Sequence, residues 1–105
     1  MTKIIGAADF RAEVLESPVP VVVDFFATWC MPCKMVAPVL DNVAGEAGDK
    51  FKIVKIDIDK DPQLANDYNI HSVPTLMFMK DGKVADQVLG AVPKSAIMEK
   101  VGALM

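Results

Sequence analysis

Phe10, Val14 and Leu15 recur at i, i+4 and i+5 behind Ala7-Ala8-Asp9, a spacing that predicts a short amphipathic helix with Asp9 at its cap or first turn. Ser17-Pro18-Val19-Pro20 ends it, because neither proline can extend a hydrogen-bonded helix. The run Val21-Val22-Val23-Asp24-Phe25-Phe26-Ala27 is β-branched, aromatic and almost continuously apolar, as a central strand covered on both faces requires. Asp24 is therefore expected to be buried. Beyond Thr28-Trp29 the period changes: Val36, Leu40, Val43, Ala44 and Ala47 fall at i, i+4, i+7, i+8 and i+11 and make one helical stripe. Pro32 suits the first turn of that helix, Pro38 predicts a bend within it, and Gly45 and Gly48 mark its end.

Residues 51–57 alternate as a second strand, and residues 62–68, opened by Asp61, form a short helix. Residues 75–79 and 83–89 make two antiparallel strands joined at Asp81-Gly82, a pair that supplies positive φ to a hairpin turn. From Pro93 onward, Ile97, Val101 and Leu104 mark a closing amphipathic helix. The order βαβαβαββα places the chain in the α/β class, with a mixed sheet and helices on both faces. A length of 105 residues suits one domain over 1–105, and no repeat, linker or low-complexity stretch divides it.

Composition narrows the function. Apolar residues at 52% and charged residues at 24% indicate a packed globule, not a disordered chain. A net charge of −3 gives no basic footprint for phosphates, so nucleic acid is not an expected partner. The apolar run from Val19 to Cys33 is interrupted and too short to span a bilayer, so no membrane association is expected. Met1-Thr2-Lys3-Ile4-Ile5-Gly6 lacks the apolar stretch of a secretory signal, which points to the cytoplasm.

Cys30 and Cys33 are the two cysteines, separated only by Met31 and Pro32, a loop too short for stapling and better suited to chemistry. Where a strand runs into a helix, Cys-x-x-Cys puts the first sulfur at the helix N-terminus, whose free N–H groups and dipole favour a thiolate. Cys30 is thus the expected nucleophile. Cys33, one turn inward, is expected to be shielded yet able to attack a Cys30 mixed disulfide, closing a Cys30–Cys33 bridge. That step needs a proton acceptor, and a carboxylate desolvated in the preceding strand, Asp24, is the candidate. Lys55, on a neighbouring strand, either reaches the same interior and tunes Asp24 by its charge or snorkels to water. The same spacing serves half a zinc site or a copper-chaperone loop. Two cysteines and one histidine, His71, fall short of a four-ligand site within one chain, so no metal is expected there. His71 is expected to face solvent.

Asp24-Phe25-Phe26-Ala27-Thr28-Trp29-Cys30-Met31-Pro32-Cys33-Lys34, followed by Pro38, Val73-Pro74-Thr75, Gly82 and Gly90, resembles the thioredoxin family over nearly the whole chain. The resemblance implies the thioredoxin fold, a five-stranded mixed sheet flanked by four helices. It implies that Cys30 attacks, Cys33 resolves and Asp24 manages the proton, with no cofactor. It also implies a cis Val73-Pro74 bond facing the cysteines and a substrate surface of Trp29, Met31, Val73, Pro74, Gly90 and Ala91. The expected activity is reduction of protein disulfides by a monomer, with a thioredoxin reductase as electron donor. A more oxidising oxidase or isomerase, and a redox-independent binding module, are the competing readings.

Two residues depart from the commonest pattern of that family. Met31 replaces a glycine, and because the dipeptide Met31-Pro32 lies between the sulfurs it bears on redox tuning. Methionine brings neither charge nor a hydrogen-bond donor, so a reductant is still expected. Its exposed thioether can alter partner choice or itself be oxidised. Phe26 stands where many members carry tryptophan, a difference expected to concern packing.

Overall fold

In the computed structural model, which describes residues 2–105, the chain runs β1 (Lys3–Ile4), α1 (Ala7–Phe10), β2 (Val21–Phe26), α2 (Met31–Ala47), β3 (Lys52–Asp57), α3 (Pro62–Asp67), β4 (Thr75–Lys80), β5 (Lys83–Leu89) and α4 (Lys94–Gly102). The sheet order is β1-β3-β2-β4-β5, with β3 parallel to both β1 and β2, and β4 antiparallel to β2 and β5. Strand β2 lies at the centre, as its continuous apolar run requires, and its alternation feeds two cores. Val21, Val23 and Phe25 pack with Phe10, Val14 and Ala65 on one face, while Val22 packs with Val36, Leu40, Ile97 and Val101 on the other. Asp24 follows Val22 by two residues and shares the face of α2 and α4. Among the described residues no helix is long and apolar enough to cross a membrane.

The first helical segment differs from the expected α-helix in an instructive way. After Phe10 it widens into a π-helical stretch, Arg11–Leu15, in which Glu16 N–H donates to the Arg11 carbonyl at 2.9 Å, five residues back. A period above four residues brings positions i, i+4 and i+5 onto one side. Phe10 and Val14 are buried there, with Leu15 packed against them. Helix α2 continues through Pro38 and stops at Ala47, where Gly48 adopts φ +55°. Asp61 precedes α3 but does not cap it; its carboxylate accepts the Ala7 N–H at 3.1 Å and ties the starts of α1 and α3 together. Strand β1 has only two residues, both exposed, and its hydrogen bonds to β3 hold it.

The β4–β5 turn carries Asp81 at φ +53° and Gly82 at φ +76°, two successive left-handed residues as an Asp-Gly hairpin demands. A Cβ on Gly82 would also stand 3.0 Å from the Leu15 carbonyl oxygen, a backbone atom that would have to give by a few tenths of an ångström. Gly82→Ala is expected to cost about 1–3 kcal/mol, read from the urea midpoint; an unchanged midpoint would show that the turn relaxes freely.

Candidate active site

The strand-to-helix junction after β2 carries the two cysteines. Cys30 is the N-cap of α2 and Cys33 sits in its first turn, beyond Met31 and Pro32, and the two are joined as a disulfide with Cα atoms 5.3 Å apart. The extended backbone of Cys30 aims its Sγ back at the free helix end, where it accepts the Cys33 N–H at 3.1 Å. Sulfur thus fills the capping role that serine or aspartate fills elsewhere. The Val73 carbonyl oxygen lies 3.6 Å from the same Sγ, across the cis Val73-Pro74 bond. Thr75 Oγ1 donates to the Ser72 carbonyl at 2.7 Å and Gly90 N–H donates to the Pro74 carbonyl at 2.9 Å, so the two loops facing the cysteines are cross-tied.

Sequence reasoning set Cys33 apart by shielding, but both cysteines are equally buried, each about 4% exposed. With the bridge closed, each sulfur covers the other, and Ala27, Phe26, Ile58 and Val73 pack around the pair. Surroundings distinguish them instead. Cys30 has the helix N–H and the Val73 carbonyl, whereas Cys33 borders a solvent-open cavity of about 250 Å³ lined also by Phe26, Ala27, Thr28, Lys34, Ala37 and Lys55.

Asp24 is fully buried, and no protein donor lies within hydrogen-bond distance of either carboxylate oxygen. Its register partners are Lys55 on β3 and Leu76 on β4. Lys55 Nζ stands 4.0 Å from Asp24 Oδ2, a Coulombic contact too long for a hydrogen bond. Burial pushes the Asp24 carboxyl up from the ordinary 3.8 to about 6, with Lys55 pulling it down by less. The Lys55 side chain is 14% exposed and lines the cavity that Cys33 borders.

Around this centre Trp29 and Met31 project, 67% and 66% exposed, beside exposed Met35 and Ala91, half-buried Val73 and Gly90, and buried Pro74. His71 is exposed, as expected. Sequence reasoning missed Asp59. Its Oδ2 accepts the Trp29 Nε1–H at 2.8 Å, and its own N–H donates to Asp57 Oδ1 at 2.9 Å, so an exposed indole is pinned by the loop after β3. No spacing in the sequence links positions 29 and 59; only the pairing of β2 with β3 brings their ends together.

A family model described as Thioredoxin matches residues 1–103. The chain belongs to the thioredoxin family. Thioredoxin 1 of Synechococcus elongatus is 53% identical over 90 residues, covering 86% of this chain and 84% of its own length. The M-type chloroplastic thioredoxin of Chlamydomonas reinhardtii is 51% identical over 92 residues, covering 88% of this chain and 66% of its own. The thioredoxin of Synechocystis is 47% identical over 96 residues, 91% of this chain and 90% of its own. The five-stranded mixed sheet with flanking helices is the thioredoxin fold. With its redox-active disulfide, this thioredoxin-family chain is a thiol–disulfide oxidoreductase of the protein-disulfide reductase type. The readings as a more oxidising oxidase or isomerase and as a redox-independent binding module are not favoured.

Proposed function

We propose a division of labour among the residues of this reductase, acting as one domain over 1–105. The observation that carries it is the Cys33 N–H held on Cys30 Sγ at the N-terminus of α2. In the reduced protein that N–H and the helix dipole favour a Cys30 thiolate, which attacks one sulfur of a substrate disulfide and expels the other as a thiolate. Asp24, ionised above about pH 6, accepts the proton of Cys33 across the cavity that Cys33 and Lys55 share, a space roomy enough for water. The Cys33 thiolate then attacks Cys30 Sγ, the second substrate thiolate leaves, and two electrons have passed from the pair to the substrate.

Trp29, Val73, Pro74, Gly90 and Ala91 form the surface that receives the substrate. The Pro74 carbonyl is taken by Gly90, which leaves the Val73 peptide to pair with an extended segment. Met31 and Pro32 tune the potential through the first turn of α2. Disulfide-bearing proteins are the substrates, a thioredoxin reductase returns the electrons, and the monomer works in a reducing compartment such as the cytosol. The test is reduction of insulin disulfides by the purified protein with dithiothreitol, then with a thioredoxin reductase and its nicotinamide donor. Chain precipitation accelerated well beyond dithiothreitol alone is expected; no acceleration would overturn the assignment of a general reductant.

A further inference from the structure

Phe26 packs against the cysteine pair, and its ring also faces a charge. Lys55 Nζ lies 4.8 Å from the centroid of the Phe26 ring while standing 4.0 Å from Asp24 Oδ2. A lysine on a sheet bordering a cavity ordinarily extends its ammonium to water. Here the side chain stays mostly buried, although it makes no hydrogen bond to the carboxylate it faces. Two attractions of different kind hold it: the field of the carboxylate and the negative face of the aromatic ring. We propose that Phe26 is a positioning residue for this reaction, the face of its ring holding the Lys55 ammonium at the wall of the Cys33 cavity and beside Asp24.

The other charges around Asp24 leave that task to the ring. On β4 its neighbour is Leu76, and on α2 and α4 the buried residues of that face, Val36, Leu40, Ile97 and Val101, carry no charge. Lys34 lines the cavity but is exposed. Asp57, two residues beyond Lys55 on the same face of β3, has its carboxylate bound to the Asp59 N–H. Lys94 and Lys100 on α4 are engaged with Glu46 and Asp86. Lys55 is therefore the cation that matters to Asp24, and its position decides how strongly the carboxylate feels it. The charge of Lys55 favours ionised Asp24, so losing the ring lets the ammonium drift to solvent and leaves the carboxyl harder to ionise.

This deepens the reading of Asp24 as proton acceptor and rests on it, but its test can be read without it. In the oxidised protein the cysteines do not titrate, so the Asp24 carboxyl can be followed alone by carbon NMR across pH. Phe26→Leu is expected to raise its midpoint by about half a pH unit, Phe26→Tyr to leave it in place, and Lys55→Met to raise it further. Added to Lys55→Met, Phe26→Leu is expected to do nothing more. A midpoint unmoved or lowered by Phe26→Leu, or a shift that persists in the Lys55→Met background, would overturn the proposal. Should the leucine variant fail to fold, Phe26→Met reads the same loss of the ring. The pH profile of Cys33 attack on a Cys30 mixed disulfide, measured in the same variants, separates the two readings. If the midpoint moves and the profile does not, the ring still holds Lys55 beside Asp24, but the proton-acceptor role of Asp24 falls and with it the bearing of Phe26 on the reaction.

Discussion

A Cys33→Ser variant is expected to stop after one chemical step and hold its substrates covalently. Cys30 keeps its place as N-cap, and residue 33 keeps the backbone N–H that reaches Cys30 Sγ, so the attack that forms a mixed disulfide survives. What is lost is the second thiolate, and a serine hydroxyl cannot take over, since its oxygen does not displace a sulfur from a disulfide under these conditions. Turnover of insulin should fall by more than about a thousandfold while the first attack remains near normal. Non-reducing electrophoresis would show adducts of protein and substrate that dissolve on adding dithiothreitol. Cys30→Ser should lose turnover to the same extent and form no adducts. Adducts of equal yield from both single variants would mean that the two sulfurs are interchangeable and would overturn the roles proposed for them.

The asymmetry behind that experiment was partly legible in the sequence. The apolar run from Val21 to Ala27 reads as a central strand, the stripe from Val36 to Ala47 reads as a helix, and their junction puts Cys30 at a helix end. Periodicity carried this because burial repeats with the backbone. Where an element is too short to repeat, as in Lys3–Ile4, no spacing marks its residues, although the order βαβαβαββα includes a first strand. Phe10, Val14 and Leu15 do carry a signal, but their spacing fits a segment that widens into the π-helical stretch Arg11–Leu15 better than a regular α-helix. Cross-chain partners were least legible. Asp59 under Trp29, Asp61 on Ala7 and Phe26 against Lys55 each join residues that only folding brings together, and nothing local requires any of the three. The equal burial of the two cysteines was invisible for a related reason: shielding depends on what packs over a sulfur, not on its position along a helix.

Asp24→Asn is expected to act on catalysis and on stability in opposite directions, and both effects follow from the same buried carboxyl. The asparagine cannot accept the Cys33 proton, so resolution of the mixed disulfide near neutral pH should slow by about a hundredfold or more, and its rate should lose the rise centred near pH 6. For stability, the folded state holds the Asp24 proton up to about pH 6 whereas the unfolded chain releases it near 3.8. Between those values the folded state binds more protons, so a rise in pH favours unfolding; below them ionisation contributes no cost, and above pH 6 its full penalty is present. A shift of about two units at about 1.4 kcal/mol each puts that penalty at ~3 kcal/mol. Every other titrating group is common to both proteins, so the difference between wild type and Asp24→Asn isolates it. Urea unfolding of the oxidised proteins should show wild type losing about 3 kcal/mol relative to the variant between pH 3 and pH 8. Parallel stability curves would mean that the carboxyl is ionised at no cost in the folded protein. A residue expected to weaken the fold at working pH while no protein donor bonds to either of its oxygens calls for a use of its ionised form, and taking the proton of Cys33 is the use proposed for it.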